Sequence, residues 1–128
     1  MIRVYLSGGM NSNWRNGLNY LRDAPWVDVS FINPCEHRLI SPRHYTAWDL
    51  KGVEICDIVF AYLASNNPSG GGLALEVGYA KALGKTIILV NEKQDEPKWN
   101  IVNECADYYT DNYDDGREIL ESVLRLYK

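Results

Sequence analysis

The chain has 128 residues, 46% of them apolar and 23% charged, a composition that suits a globular protein and excludes a disordered or low-complexity scaffold. That length is close to the commonest domain size, so a single domain over residues 1–128 is expected. Seventeen acidic against thirteen basic side chains give a formal charge of -4, the wrong sign for neutralising the phosphates of a polynucleotide.

No apolar run approaches the ~20 residues of a bilayer crossing, and the amino end lacks a basic segment followed by a long apolar stretch; a cytoplasmic location without a membrane partner is expected. Cys35, Cys56 and Cys105 are odd in number and widely spaced, the pattern of reduced thiols rather than of a disulfide framework. The one metal-like spacing, Cys35-Glu36-His37 with His44 nearby, lacks the second pair of a structural zinc site, so no metal is expected.

Residues 2–7 alternate as a strand and run into the turn Gly8-Gly9. From Asn11 to Leu21 the apolar residues Trp14, Leu18 and Leu21 recur at helical spacing, with Asn11, Ser12 and Asn13 as candidate caps. Val27 to Ile32 reads as a second strand stopped by Asn33-Pro34, and a polar loop follows to Arg43. Tyr45 to Ile55 reads as a helix, and the apolar run 58–63 as a buried central strand. After Asn66-Asn67-Pro68-Ser69-Gly70-Gly71-Gly72 comes a helix closed by Gly84, then a buried strand from Thr86 to Val90. A short helix over 99–106, a short strand over 108–110 and an amphipathic helix from Asp114 to Tyr127 complete the pattern. This alternation favours a flavodoxin-like or Rossmann-like three-layer α/β sandwich around a parallel sheet of about five strands. Ligands of such sheets bind beyond the carboxyl ends of the strands, which places a site among Tyr5–Met10, residues 33–44, 64–76 and 91–100.

The glycine turn is the most informative segment. Three glycines after a buried strand let backbone N–H groups face a ligand at a helix amino terminus. The spacing is neither that of a P-loop nor the dinucleotide fingerprint, which leaves ATP and NAD without support. Glu76 lies about one turn into that helix, where the dipole favours an ionised carboxylate, although Glu is also simply common there. Asp49, among Trp48, Leu50 and Val53, has an apolar neighbourhood that raises a carboxyl pKa and suits proton transfer; a solvated helix face is the plain alternative.

Tyr5-Leu-Ser-Gly, Trp48-Asp49-Leu50, Cys56-Asp57 with its apolar strand, residues 68–80 from Pro68 to Ala80, and Gly84-Lys85 together resemble the nucleoside 2-deoxyribosyltransferases and the related deoxynucleoside 5′-monophosphate hydrolases. The resemblance implies that Glu76 is the nucleophile at the anomeric carbon, that Tyr5 holds its carboxylate, and that Asp49 helps to protonate the departing base. It further implies that Asn100 reaches the sugar 5′-hydroxyl of a neighbouring subunit, hence a homo-oligomer, a dimer or a dimer of dimers. The implied reaction cleaves the N-glycosidic bond of a 2-deoxyribonucleoside through a covalent glutamyl ester and passes the sugar to a free nucleobase, with no cofactor. Water as acceptor would make the protein a hydrolase of deoxynucleoside 5′-monophosphates, and loss of turnover would leave a nucleotide-binding sensor.

The glycine turn has no acidic residue where many transferases do, and Ser69 resembles the serine of the hydrolases, one residue further from the glutamate. Ser69, Gly70 and Gly72 are therefore candidate substrate contacts. Ser7, Gly8 and Gly9, with Arg15 behind them, are either a cradle for a 5′-phosphate or the plain turn after a strand. Trp14, ahead of Trp48 and Tyr45, is the candidate aromatic for stacking on the base.

Overall fold

The computed structural model describes residues 1–10 and 12–127. Five strands, β1 (Ile2–Gly8), β2 (Val29–Ile32), β3 (Ile58–Leu63), β4 (Thr86–Asn91) and β5 (Tyr108–Thr110), form one parallel sheet in the order β2-β1-β3-β4-β5. Between and after them lie α1 (Asn19–Arg22), α2 (Pro42–Ile55), α3 (Gly71–Ala82), α4 (Asn100–Asn103) and α5 (Tyr113–Arg125). This is the three-layer α/β sandwich expected from the sequence, with the strand order of the flavodoxin-like class.

Side chains alternate across a strand, so each strand feeds two cores. Val4, Leu6, Phe60 and Ile88 meet Leu18, Leu21, Leu120 and Leu124 on the face covered by α1 and α5. Tyr5, Val59, Ala61 and Leu89 meet Val53, Leu73, Val77 and Val102 on the face covered by α2, α3 and α4. The chain leaves β1 toward β2 on one side and returns to β3 on the other, which opens a crevice between the carboxyl ends of β1 and β3.

The first helical segment departs from expectation. Residues Trp14–Leu18 form a 3-10 turn and only Asn19–Arg22 are α-helical. Asn16-Gly17 is a poor helix former, and Trp14 Nε1 and Arg15 Nη1 are tied to the Gly9 carbonyl at 3.0 and 2.9 Å. Asn13 occupies the cap position without a side-chain cap bond, Ser12 is exposed, and Asn11 lies outside the described residues. Elsewhere the differences are of boundaries: β2 starts at Val29 and α2 already at Pro42, where proline suits the first helical turn.

One close approach between α2 and β1 sets the geometry of the site. A Cβ on Gly52 would lie 2.8 Å from Tyr5 Cε2 and 3.0 Å from Ile32 Cγ2. The bare backbone of Gly52 is what lets α2 approach the Tyr5 ring this closely. Gly52→Ala should cost about 1–3 kcal/mol through overpacking, read by denaturant unfolding, whereas alanine at Gly78, which has open space around it, should not.

Candidate active site

Glu76 stands three residues after Leu73 on the sheet-facing side of α3, where it is only 8% exposed. Beneath it, Tyr5 and Ser7 are alternate residues of β1 and point to the same face. The Tyr5 hydroxyl donates to Glu76 Oε2 at 2.9 Å, and the Ser7 hydroxyl donates to Oε1 at 2.6 Å. Burial pushes the Glu76 carboxyl up to about 7; the hydrogen bonds from Ser7 and Tyr5 oppose that, the charge of Asp49 adds to it, and Arg15 opposes it. The expectation of a carboxylate favoured in its ionised form is thus corrected: desolvation outweighs the two hydrogen bonds and the Arg15 charge. Burial, then the charges of Glu76 and Asp49, drive the Tyr5 hydroxyl far above its ordinary range, so it remains a donor across the working pH range.

Asp49 sits on α2 with its side chain 17% exposed, and its Oδ1 is buried without a hydrogen-bond partner among the described residues. Burial raises its pKa, while the nearby His37 and Arg15 lower it. His37, from the segment between β2 and α2, places Nε2 3.6 Å from Asp49 Oδ1. Its ring lies edge-on to Trp48 at 5.0 Å and parallel to Tyr45 at 6.3 Å. Tyr45, Trp48 and Asp49 share one side of α2 by their i, i+3, i+4 spacing.

A cleft of 440 Å³ lies at the carboxyl ends of β1 and β3, lined by Gly8, Gly9, Met10 and residues 67–70 together with Gly72 and Leu73. Gly70 caps α3 at φ +125°, and a Cβ there would lie 2.5 Å from the Trp99 ring, so this position requires glycine. The turn is held from two sides. Asn67, 6% exposed, accepts the Ser69 N–H at 3.1 Å, and Lys93 Nζ donates to the Asn67 carbonyl. A separate hollow of 510 Å³, lined mainly by residues of α5, contains none of these groups.

The structure brings Tyr5, Ser7 and Glu76 into contact, with Asp49 close enough for its charge to act on both Tyr5 and Glu76. Gly8, Gly9, Ser69, Gly70 and Gly72 line the cleft. The Ser7 hydroxyl is fully buried and donates to Glu76, so a phosphate cradle at this turn would consist of backbone N–H groups. Two expectations require correction. Arg15 is 5% exposed and donates to the carbonyls of Leu6, Gly8 and Gly9, which removes its guanidinium from the front of the turn. Trp14 packs with Phe60, Tyr62 and Tyr113 on the opposite face of the sheet from Glu76, because the even-numbered positions of β3 point there. Asn100 is exposed at the start of α4 and does not line its own chain's cleft, and Arg38, Arg43 and His44 are exposed. Gly52 was not singled out in the sequence, and His37, Asn67 and Lys93 fell within the segments expected at the site without a role of their own, which each takes from a contact to another part of the chain.

Among the described residues no three His, Cys, Asp or Glu side chains gather as a metal site requires, and no helix is long and apolar enough to cross a membrane. The structure is thus an α/β sandwich with a cleft at the switch point of its sheet and, one helical turn beyond the cleft's Leu73, a buried glutamate held by two hydroxyls. The family described as nucleoside 2-deoxyribosyltransferase like matches residues 1–94, and the chain belongs to it. This places it with enzymes of the glycosyltransferase type. Among solved structures, the CMP N-glycosidase of Clostridium botulinum is similar at 21% identity and a TM-score of 0.62, over 93% of this chain and 98% of that one. The 2-desoxiribosyltransferase of Leishmania mexicana is similar at 24% identity and a TM-score of 0.57, over 73% of this chain and 66% of that one. Both likenesses concern the fold. No curated protein matches the chain.

The Glu76 environment makes a stability prediction. Its folded-state pKa of about 7 lies above the ordinary 4.5, so the folded state holds the extra proton between those values. The stability this group contributes is complete below pH 4.5 and is lost as pH rises through 7, a change of about 3 kcal/mol. Glu76→Gln should remove this decline, so that urea midpoints of the variant exceed those of the parent at pH 8 and approach them at pH 4.

Proposed function

We propose that the protein cleaves the N-glycosidic bond of 2-deoxyribonucleosides, with Glu76 as nucleophile, and transfers the sugar to another nucleobase. The observation that carries this reading is the Glu76 carboxylate, buried three residues beyond Leu73 of the cleft wall and held by two hydroxyl donors, Tyr5 and Ser7. A carboxylate in that setting is fixed in direction and stripped of water, as in-line attack on a sugar carbon requires.

In the first half-reaction a Glu76 oxygen bonds to C1′ on the face opposite the base. The C1′–N bond breaks, its electron pair stays on the base nitrogen, and the Asp49 carboxyl supplies the proton. In the second, the acceptor attacks C1′, the ester bond returns its electrons to Glu76, and the acceptor's proton passes to Asp49. Two inversions retain the β configuration. Asn100, exposed at the start of α4, is assigned to a neighbouring subunit's cleft, and the working form to a homo-oligomer.

A second reading, hydrolysis of a nucleoside 5′-monophosphate, is favoured by the cleft itself. Gly8, Gly9, Gly70 and Gly72 present backbone to it at the amino end of α3, an arrangement suited to a phosphate. The likeness to a CMP N-glycosidase over 98% of that chain points the same way.

Chromatography of each deoxynucleoside, its 5′-monophosphate and CMP, incubated with and without a second free base, separates the two. A new deoxynucleoside formed only with acceptor establishes transfer; free base with sugar phosphate establishes hydrolysis; both should vanish in Glu76→Ala. No turnover of any substrate would remove the catalytic reading. The acid limb of kcat/KM should fall near pH 7, where Glu76 ionises, and Tyr5→Phe should move it to higher pH, since the lost donor favoured the charged form.

A further inference from the structure

We propose that His37 is the positioning residue for Asp49: an imidazole that presents its Nε2–H to one carboxyl oxygen of Asp49 and leaves the other for the departing base. This rests on the role given to Asp49 above.

Three observations converge on it. The Leu39 N–H donates to His37 Nδ1 at 3.2 Å, so Nδ1 is an acceptor and the proton of the neutral ring is on Nε2. That Nε2 is the atom facing Asp49, 3.6 Å from Oδ1. Oδ1 in turn is buried with no hydrogen-bond partner among the described residues, and such an atom is costly unless a donor closes on it. The ring is held in place by Trp48 and Tyr45, which stand on the same side of α2 as Asp49. Both side chains are mostly screened from solvent, at 12% and 17% exposure.

The separation is just beyond hydrogen-bond length, a gap of the kind that tightens when substrate replaces water. In the chemical step Asp49 gives its proton to the base nitrogen as the C1′–N bond breaks, and becomes a carboxylate. His37 Nε2–H then donates to the newly charged oxygen without giving up its proton. In the second half-reaction the proton of the incoming N–H or water returns to Asp49, and the His37 bond relaxes. His37 therefore takes no net part in the proton balance; it stabilises the charge that appears on Asp49.

The test compares a leaving group that needs a proton with one that does not. With the best natural substrate, His37→Phe, which keeps a ring against Tyr45 and Trp48, should lower kcat by at least about 10-fold, part of the about 10²–10⁴ that general acid catalysis supplies. His37→Gln, which retains an N–H donor, should recover part of the loss. With the matching 7-methylguanine nucleoside or nucleotide, whose base is cationic in the substrate and leaves neutral without taking a proton, both variants should act like the parent. The double variant His37→Phe/Asp49→Asn should be no slower than Asp49→Asn alone. Equal losses on both leaving groups, or additive losses in the double variant, would overturn the proposal.

A second measurement is independent of turnover. The chain has two histidines, so ¹⁵N spectra of histidine-labelled protein, assigned with His44→Gln, isolate His37. At pH 7.5 His37 should show a protonated Nε2 and a bare Nδ1, and Asp49→Asn should shift the Nε2 signal. A proton on Nδ1, or signals indifferent to Asp49→Asn, would refute the pair even in an active enzyme. The expected spectra in a protein that turns over nothing would instead leave the pair standing and refute the proposed reaction.

Discussion

The site depends on a carboxylate taken out of water and then held by two hydroxyls. Tyr5 and Ser7 are alternate residues of one strand, and Glu76 stands on the helix that follows the neighbouring strand, so the pair of bonds joins β1 to α3 across the switch point. Neither donor can be lost without leaving a buried acceptor short, which costs more than the bond itself contributes. The rest of the architecture serves this contact. Gly52 lets α2 come down on the Tyr5 ring, and the Gly70 turn is braced by Lys93 and Trp99 so that α3 starts where Glu76 meets β1.

The sheet explains why those residues converge. In a parallel sheet all carboxyl ends lie on one edge, and the order β2-β1-β3-β4-β5 leaves its crevice where β1 and β3 part company. Residues separated by 71 positions thus share a hydrogen bond. The strict alternation of β1 also separates function from packing: Val4 and Leu6 fill the core under α1 and α5, while Tyr5 and Ser7 face α3.

Much of the fold was legible because its signals are local. The apolar runs of β3 and β4, the glycines before α3 and the amphipathic period of α5 each declare their element within a few residues. Tyr5, Asp49 and Glu76 were legible as a constellation through the resemblance. What escaped is what depends on direction. A sequence does not say which face Trp14 takes, and here the anchoring of Trp14 and Arg15 to the Gly9 carbonyl turns the tryptophan toward Phe60 and away from the cleft. His37 was weighed only as part of a metal-like spacing, because its partner is 12 positions away on a helix whose start was read three residues late. The sign of the Glu76 shift escaped for a similar reason, since the helix field is local whereas burial is a property of the whole fold.

The two carboxylates of the site are differentiated by their surroundings rather than by their chemistry. Glu76 has two fixed donors and a nearby buried guanidinium, and all three favour its charged form against desolvation. Asp49 has an imidazole and Arg15 on the same side of the balance, but no hydroxyl donor, and one of its oxygens has no partner. Negative charge on Asp49 raises the cost of ionising Glu76, so a proton placed on Asp49 lowers that cost. The proposed reaction needs one charged and one protonated carboxyl, and a proton on Asp49 makes the charged form of Glu76 easier to reach. The environments differ in kind: the deeper group is held by two hydroxyls and is the more strongly desolvated, whereas the other lies beside aromatic rings and a single imidazole with one oxygen unpaired.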